Sequence, residues 1–165
     1  TGELGYELHV PTEHAARLYE AIWDHPAAEQ HGLQPFGGHA VNSLRVEKGF
    51  KVKADLDYAH WTEAGIEPFV KLKRKAVHHF VGRDSPAPRT RHAAIFEVDA
   101  PAEYAWSVPG DSPVRDASDA IVGFTTTSAL GAVTGRTVAL GYVKLDEQGQ
   151  LLATPTHSGL YLECY

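Results

Sequence analysis

Four features of this chain could do chemistry. A carboxylate, Glu7, stands in the middle of "TGELGYELHVP". Ten histidines are scattered along 165 residues. "KLKRK" crowds Lys71, Lys73, Arg74 and Lys75 together, and "GAVTGRT" at 131–137 brackets a turn with glycines. The histidines lack HExxH, CxxC or any comparable ligand spacing, so the chain offers no metal residues. In "VHHF", His78 and His79 would point to opposite faces of a strand, which is poor geometry for joint ligation. "GAVTGRT" has one residue too few for a phosphate loop, Arg136 stands where the lysine belongs, and no helical pattern follows. It reads as a loop joining two strands. "KLKRK" lacks interleaved aromatics and reads as a solvated turn. A GxSxG elbow is absent. Glu7 keeps two readings open. Leu4, Tyr6, Leu8 and Val10 alternate with Glu3, Gly5, Glu7 and His9, the period of a strand with two unlike faces. The polar face meets either water or a ligand.

The bulk composition narrows the classes. Hydrophobic residues make up 43% and charged residues 22%, the balance of an ordinary globular protein able to bury a core as one domain or two small ones. A net charge of -6 and a pI near 5.9 argue against nucleic acid or an anionic membrane as a partner. Apolar runs fall short of the roughly 20 residues that span a bilayer, and no leader pattern is visible. The single cysteine, Cys164, cannot form an internal disulfide and suits a reducing, cytoplasmic setting. Methionine is absent and the chain opens at Thr1 in a strand-like run, so it reads as a piece of a longer protein.

These residues need elements to position them. "EHAARLYEAIW" places Ala15, Leu18, Tyr19, Ile22 and Trp23 on one helical stripe, with Thr12 as the expected N-cap and Pro26 as the stop. "QHGLQPFGG" reads as a loop. "HAVNSLRVEKG" is a second helix, with Ala40, Val41, Leu44 and Val46 apolar and Gly49 as its C-terminal cap. "EPFVKLKRK" suggests a short strand over 69–72. Near residue 84, "GRDSPAPRTR" looks like a connector. Beyond it "HAAIFEVDA", "DAIVGFTTTSAL", "RTVALGYVKL", "GQLLAT" and "SGLYLECY" are short β-type runs separated by turn residues. The expected plan is α+β: a helical and mixed part over 1–84, then a small antiparallel β-barrel over 85–165.

Taken together, "TGELGYELHVP" and "FGGHAVNSLRVEKGF" resemble two motifs of the aminomethyltransferase family, the glycine cleavage T-protein and its relatives. The first is similar to "TGE-x-G-[YF]-E". The second is similar to the "G-x-x-A-x-[DN]-SLR-[LV]-E-[KA]-G" helix. "EAGIEPFVKLKRKAVHHFVGRDS" and "IVGFTTTSALGAVTGRTVALGYV" resemble two later blocks, in the family's order. The lysine of "EKG", with Trp61 and Glu63, looks closer to the tetrahydrofolate-binding portion of dimethylglycine and sarcosine dehydrogenases.

The resemblance implies a partial folate-binding domain that serves one-carbon transfer from a small amine-derived donor to tetrahydrofolate, as in glycine catabolism. It implies that Glu7 binds the pterin ring, because a carboxylate can accept two parallel hydrogen bonds from a ring N–H and an exocyclic amine. Glu3 shapes the turn with Gly2 and Gly5. Arg45 and Glu47 read as ion-pair or helix-end residues rather than ligand contacts. Val41 stands where glycine cleavage proteins carry a folate-site arginine, with His39 two residues before it. The family's catalytic aspartate lies upstream of the signature, so no catalytic residue is assigned and little turnover is expected from this chain alone. A non-catalytic folate-binding or assembly module and a folate-dependent demethylase are the alternatives. The exposed edge of the first strand is expected to favour self-association.

Overall fold

The computed structural model describes residues 1–57, 59–70, 81–82, 89–99, 108–153 and 160–162. Along the chain come α1 (Thr12–Trp23), α2 (Pro26–Gln30), α3 (Gly38–Glu47), α4 (Lys53–Leu56), β1 (Arg91–Val98), β2 (Pro113–Arg115), β3 (Ile121–Leu130), β4 (Thr137–Lys144) and β5 (Tyr161–Leu162). Helices precede strands, and the class is α+β as expected.

The strands form one antiparallel sheet in the order β1-β4-β3-β2-β5. β4 is its axis. It pairs with β1 from Arg91↔Lys144 to Val98↔Thr137 and with β3 across a hairpin that closes at Leu130↔Thr137. Seven consecutive residues of β4, Thr137 to Val143, are buried, so this strand is covered on both faces. Period-two alternation then sorts its side chains into two cores. Val138 and Leu140 meet Val46 of α3 and Ala129 of β3 on one face. Val143 joins Val114, Val122 and Ala153 on the other, with Phe96, Leu151 and Leu162 packed around them.

The barrel expectation is corrected: among the described residues the sheet is open. β1 and β5 stand at its two ends, and β5 contributes a two-residue pairing with β2. Closure needs the first and last strands to join with a matched stagger. "GQLLAT", expected as a strand, makes a single bridge, Leu145↔Leu151. β2 was not anticipated, because three residues led by a proline carry too little pattern to announce a strand.

The helical part departs from expectation in four places. Leu4 to Val10 belong to no strand, since no described segment supplies them with ladder partners. α1 starts at Thr12, but its N-cap is Pro11 and no side chain caps it. Pro26 opens α2 as its first residue, where a missing N–H costs nothing. Residues 67–70 turn as a helix rather than extend, and the rest of that expected strand lies outside the described residues, with "KLKRK", "VHHF" and Cys164. α3 matches its expected span. It ends as the sequence suggests: Phe50 N–H donates to Arg45 O and Gly49 N–H to Val46 O, both at 2.9 Å, with Gly49 at φ 74°. That left-handed turn is open to glycine at little steric cost.

Candidate functional site

The two motif-bearing segments meet at one point. Lys48, just past α3, donates to Gly2 O at 3.1 Å and pairs with the Glu3 carboxylate. "TGE" is thereby tied to the end of the "SLRVEKG" helix. Past this tie the N-terminal segment runs through solvent. Glu7 is 91% exposed, with His9 Nε2 3.6 Å from its Oε2. Leu4 and Tyr6 are 87% and 85% exposed. His39 and Val41, at the start of α3, are exposed as well.

The Glu7 carboxylate is of a form that can accept a planar pair of N–H donors, and its described ion-pair neighbour is His9. The described residues do not wall it in. A cavity of about 390 Å³ opens elsewhere, between α1 and α2, lined by Ile22, His25, Ala28, His31 and Leu33. His25 Nδ1 accepts from Ala27 N–H at 3.1 Å, so that ring caps α2.

A second constellation forms around Arg45, whose ion-pair role the sequence suggests but whose partners it does not. α3 turns Ser43, Arg45 and Val46 toward the sheet, and all three are buried. Arg45 Nη1 lies 2.5 Å from Asp55 Oδ2 and 3.1 Å from Phe50 O, while Nε donates to Asn42 Oδ1 at 2.9 Å. Asp55 also accepts from Thr126 Oγ1 at 2.6 Å and from Val52 N–H at 2.9 Å. Tyr142 of β4 donates its hydroxyl to Asp55 O at 2.6 Å. Eight residues further on, Glu63 accepts from Thr90 N–H at 3.0 Å, Thr90 Oγ1 at 2.9 Å and Arg91 Nε at 3.3 Å. The Arg91 guanidinium in turn covers the rings of Phe124 and Tyr142, 5.5 and 5.4 Å from their centroids.

Burial works to raise the Asp55 pKa. The Thr126 hydroxyl, the Val52 N–H, Thr127 and Arg45 outweigh it and hold the group below its ordinary 3.8. Burial opposes ionisation of Glu63 too, and Thr90, Arg91 and the His60 N–H prevail. Desolvation first, then the Asp55 and Glu63 charges, push Tyr142 up despite the Arg91 cation. Carboxylates so fully engaged are poor proton acceptors near neutral pH. Their work is attachment. Nothing in "KADLDY" flags this role for Asp55, because its partners lie in β3 and β4, 71 and 87 residues away.

Among the described residues, no three histidine, cysteine, aspartate or glutamate side chains gather as a metal site would need, and no helix is long and apolar enough to cross a membrane.

The architecture is an α+β segment that locks one signature motif into packing and leaves the other in solvent. Residues 1–74 match the GCVT N-terminal domain, and this part of the chain belongs to that family. It is 33% identical to the trimethylamine-oxide aldolase of Ruegeria pomeroyi, over 87% of this chain and 18% of that protein. Identity with mitochondrial dimethylglycine dehydrogenase of Homo sapiens is 40%, over 52% of this chain and 10% of the relative. An aminomethyltransferase of Halothermothrix orenii is 29% identical over 96% of this chain and 42% of its own length. The chain thus spans between a tenth and a fifth of the length of the first curated relatives it matches.

Proposed function

We propose that this chain is part of a tetrahydrofolate-dependent protein that moves a one-carbon unit from an amine donor onto the folate, and that Glu7 is the pterin contact. The observation that carries the reading is the family match over residues 1–74, which contains both "TGELGYE" and "SLRVEKG". Tetrahydrofolate supplies the amine that takes up the carbon. Glu7 orients the ring by accepting paired N–H donors, which also selects against ligands lacking them. Lys48, through Glu3, sets where the Glu7 segment leaves α3.

A methylated amine is the donor favoured by the relatives' names, which include a trimethylamine-oxide aldolase and dimethylglycine dehydrogenases. This supports the dehydrogenase-like branch, with folate-dependent demethylation as the second reading. The parent is assigned to the cytoplasm, with a boundary near residue 84 between folate-binding and β parts. Self-association through the exposed first segment accompanies this reading.

Titration of the full-length parent with tetrahydrofolate tests the proposal, repeated with Glu7→Ala. At least a tenfold loss of affinity is expected, about the value of a charge-assisted hydrogen bond. Equal affinity removes Glu7 from the site.

A further inference from the structure

The β3–β4 turn lacks the spacing of a phosphate loop, yet it holds an anion. Val133 N–H lies 3.2 Å from each Glu47 oxygen, and Thr134 N–H lies 2.6 Å from Oε1. The carboxylate arrives from the last residue of α3, across 86 positions of sequence. Gly131 makes room for it. A Cβ there would stand 2.7 Å from Glu47 Oε1 and 2.5 Å from Thr134 Oγ1, closer than packed atoms approach. The neighbouring cations are engaged elsewhere: Arg136 of the turn pairs with Glu97 of β1, and Lys48 with Glu3. Attraction at this point therefore comes from backbone dipoles. Successive N–H groups converging in a turn form such anion-binding concavities. The Thr134 N–H is the foremost cause holding the Glu47 carboxyl below its ordinary range.

We propose that the turn over residues 131–135 is an oxyanion nest whose resident is the chain's own Glu47, and that it accepts a small free carboxylate when that side chain is removed. The resident carboxylate latches the hairpin to α3. Ser43 and Asn42 extend the latch by donating to Leu130 O and Ser128 O. The proposal rests on the turn alone and stands whether or not Glu7 binds folate.

The test is chemical rescue of Glu47→Ala in the 165-residue chain, with acetate replacing chloride at constant ionic strength. The thermal midpoint and the Val133 and Thr134 amide resonances are the readouts. The variant is expected to melt below the parent. Acetate should raise its midpoint and shift those two amides saturably, leaving the parent's in place. Identical behaviour in acetate and chloride overturns the nest. Should Glu47→Ala not fold, Glu47→Gln keeps the shape and loses the charge. Its two amide protons should then move upfield of the parent's, and unchanged positions overturn the proposal. Gly131→Ala fills the seat itself, so it should melt low and gain nothing from acetate. Rescue of that variant would place the acetate effect elsewhere.

Discussion

Residues 1–41 and residues 43–64 belong to one family signature and have opposite physical fates. In the first stretch no described residue is buried, although it carries Leu4, Tyr6, Tyr19, Ile22, Trp23 and Phe36. In the second, Ser43, Arg45, Val46, Asp55, Glu63 and Ala64 are all buried. The first stretch leaves its large apolar side chains in water, while four of the six buried residues of the second are polar or charged. Hydrophobicity alone does not decide which segment docks here; pairing does. Glu47, Asp55 and Glu63, spaced by eight, each bring a carboxylate to a different part of the sheet: the β3–β4 turn, the middle of β3 and the start of β1. No described buried side-chain nitrogen or oxygen lacks a partner. That completeness lets charge sit against a sheet without an uncompensated desolvation cost.

Breaking this seam should have the largest effect on stability. Asp55→Ala leaves the buried Arg45 guanidinium without its counter-charge, at an expected cost of about 3–5 kcal/mol. Urea unfolding followed by tryptophan fluorescence measures it, and a loss below about 1 kcal/mol would mean that the seam is not where the two parts hold together. Leu140→Ala comes next. Leu140 is 1% exposed between Val46 and Ala129, so its truncation should cost about 2–4 kcal/mol through lost burial and a residual cavity.

This contrast explains what could be read in the sequence. α1, α3 and the three long strands β1, β3 and β4 carry local signals, either a helical stripe or a β-branched run bounded by turns, and all were legible. Gly49 announced the end of α3 because a left-handed residue is a local requirement. The buried faces were legible only in part. Of the expected apolar positions of α3, Ala40, Val41, Leu44 and Val46, the last is fully buried, yet Val41 is 37% exposed while Ser43 and Arg45 are buried. Arg45 goes inside because Asp55 meets it there, and Asp55 stays ionised because Thr126 and Val52 add their hydrogen bonds. Such a chain of dependence appears only when segments from both halves come together. The open sheet was illegible for a related reason: closure is a relation between β1 and β5, and neither strand signals it. Glu7 is the reverse case. Its motif was plain from seven residues, while the residues around it leave it in solvent.

Acid should loosen one region and spare the other. Asp55 and Glu63 have folded pKa values held below their ordinary 3.8 and 4.5. Groups depressed in this way contribute stability that is fully present above the unfolded values and is lost as pH falls through the folded ones. Urea midpoints should therefore hold steady from pH 7 to about 5 and then decline below about 4. Asp55→Asn removes one of these titrations, which Glu47 and Glu67 share, and should flatten the decline. An equal slope in that variant would assign the acid sensitivity to other carboxylates.

The smallest effect sharpens the contrast most. Tyr6→Ser or Trp23→Ala should change unfolding free energy by no more than about 0.5 kcal/mol, because exposed side chains have little burial to lose. Trp23 stacks on Tyr19 with ring centroids 6.0 Å apart, and that contact lies wholly within α1. The same substitutions should nonetheless reduce any concentration-dependent association of the chain, since they thin an apolar surface of the kind that drives contact between copies. Sedimentation velocity across a dilution series separates the two quantities. A stability loss above about 2 kcal/mol from Tyr6→Ser would show that the first segment packs against the rest, and the division between a solvent-facing half and a docked half of the signature would fall.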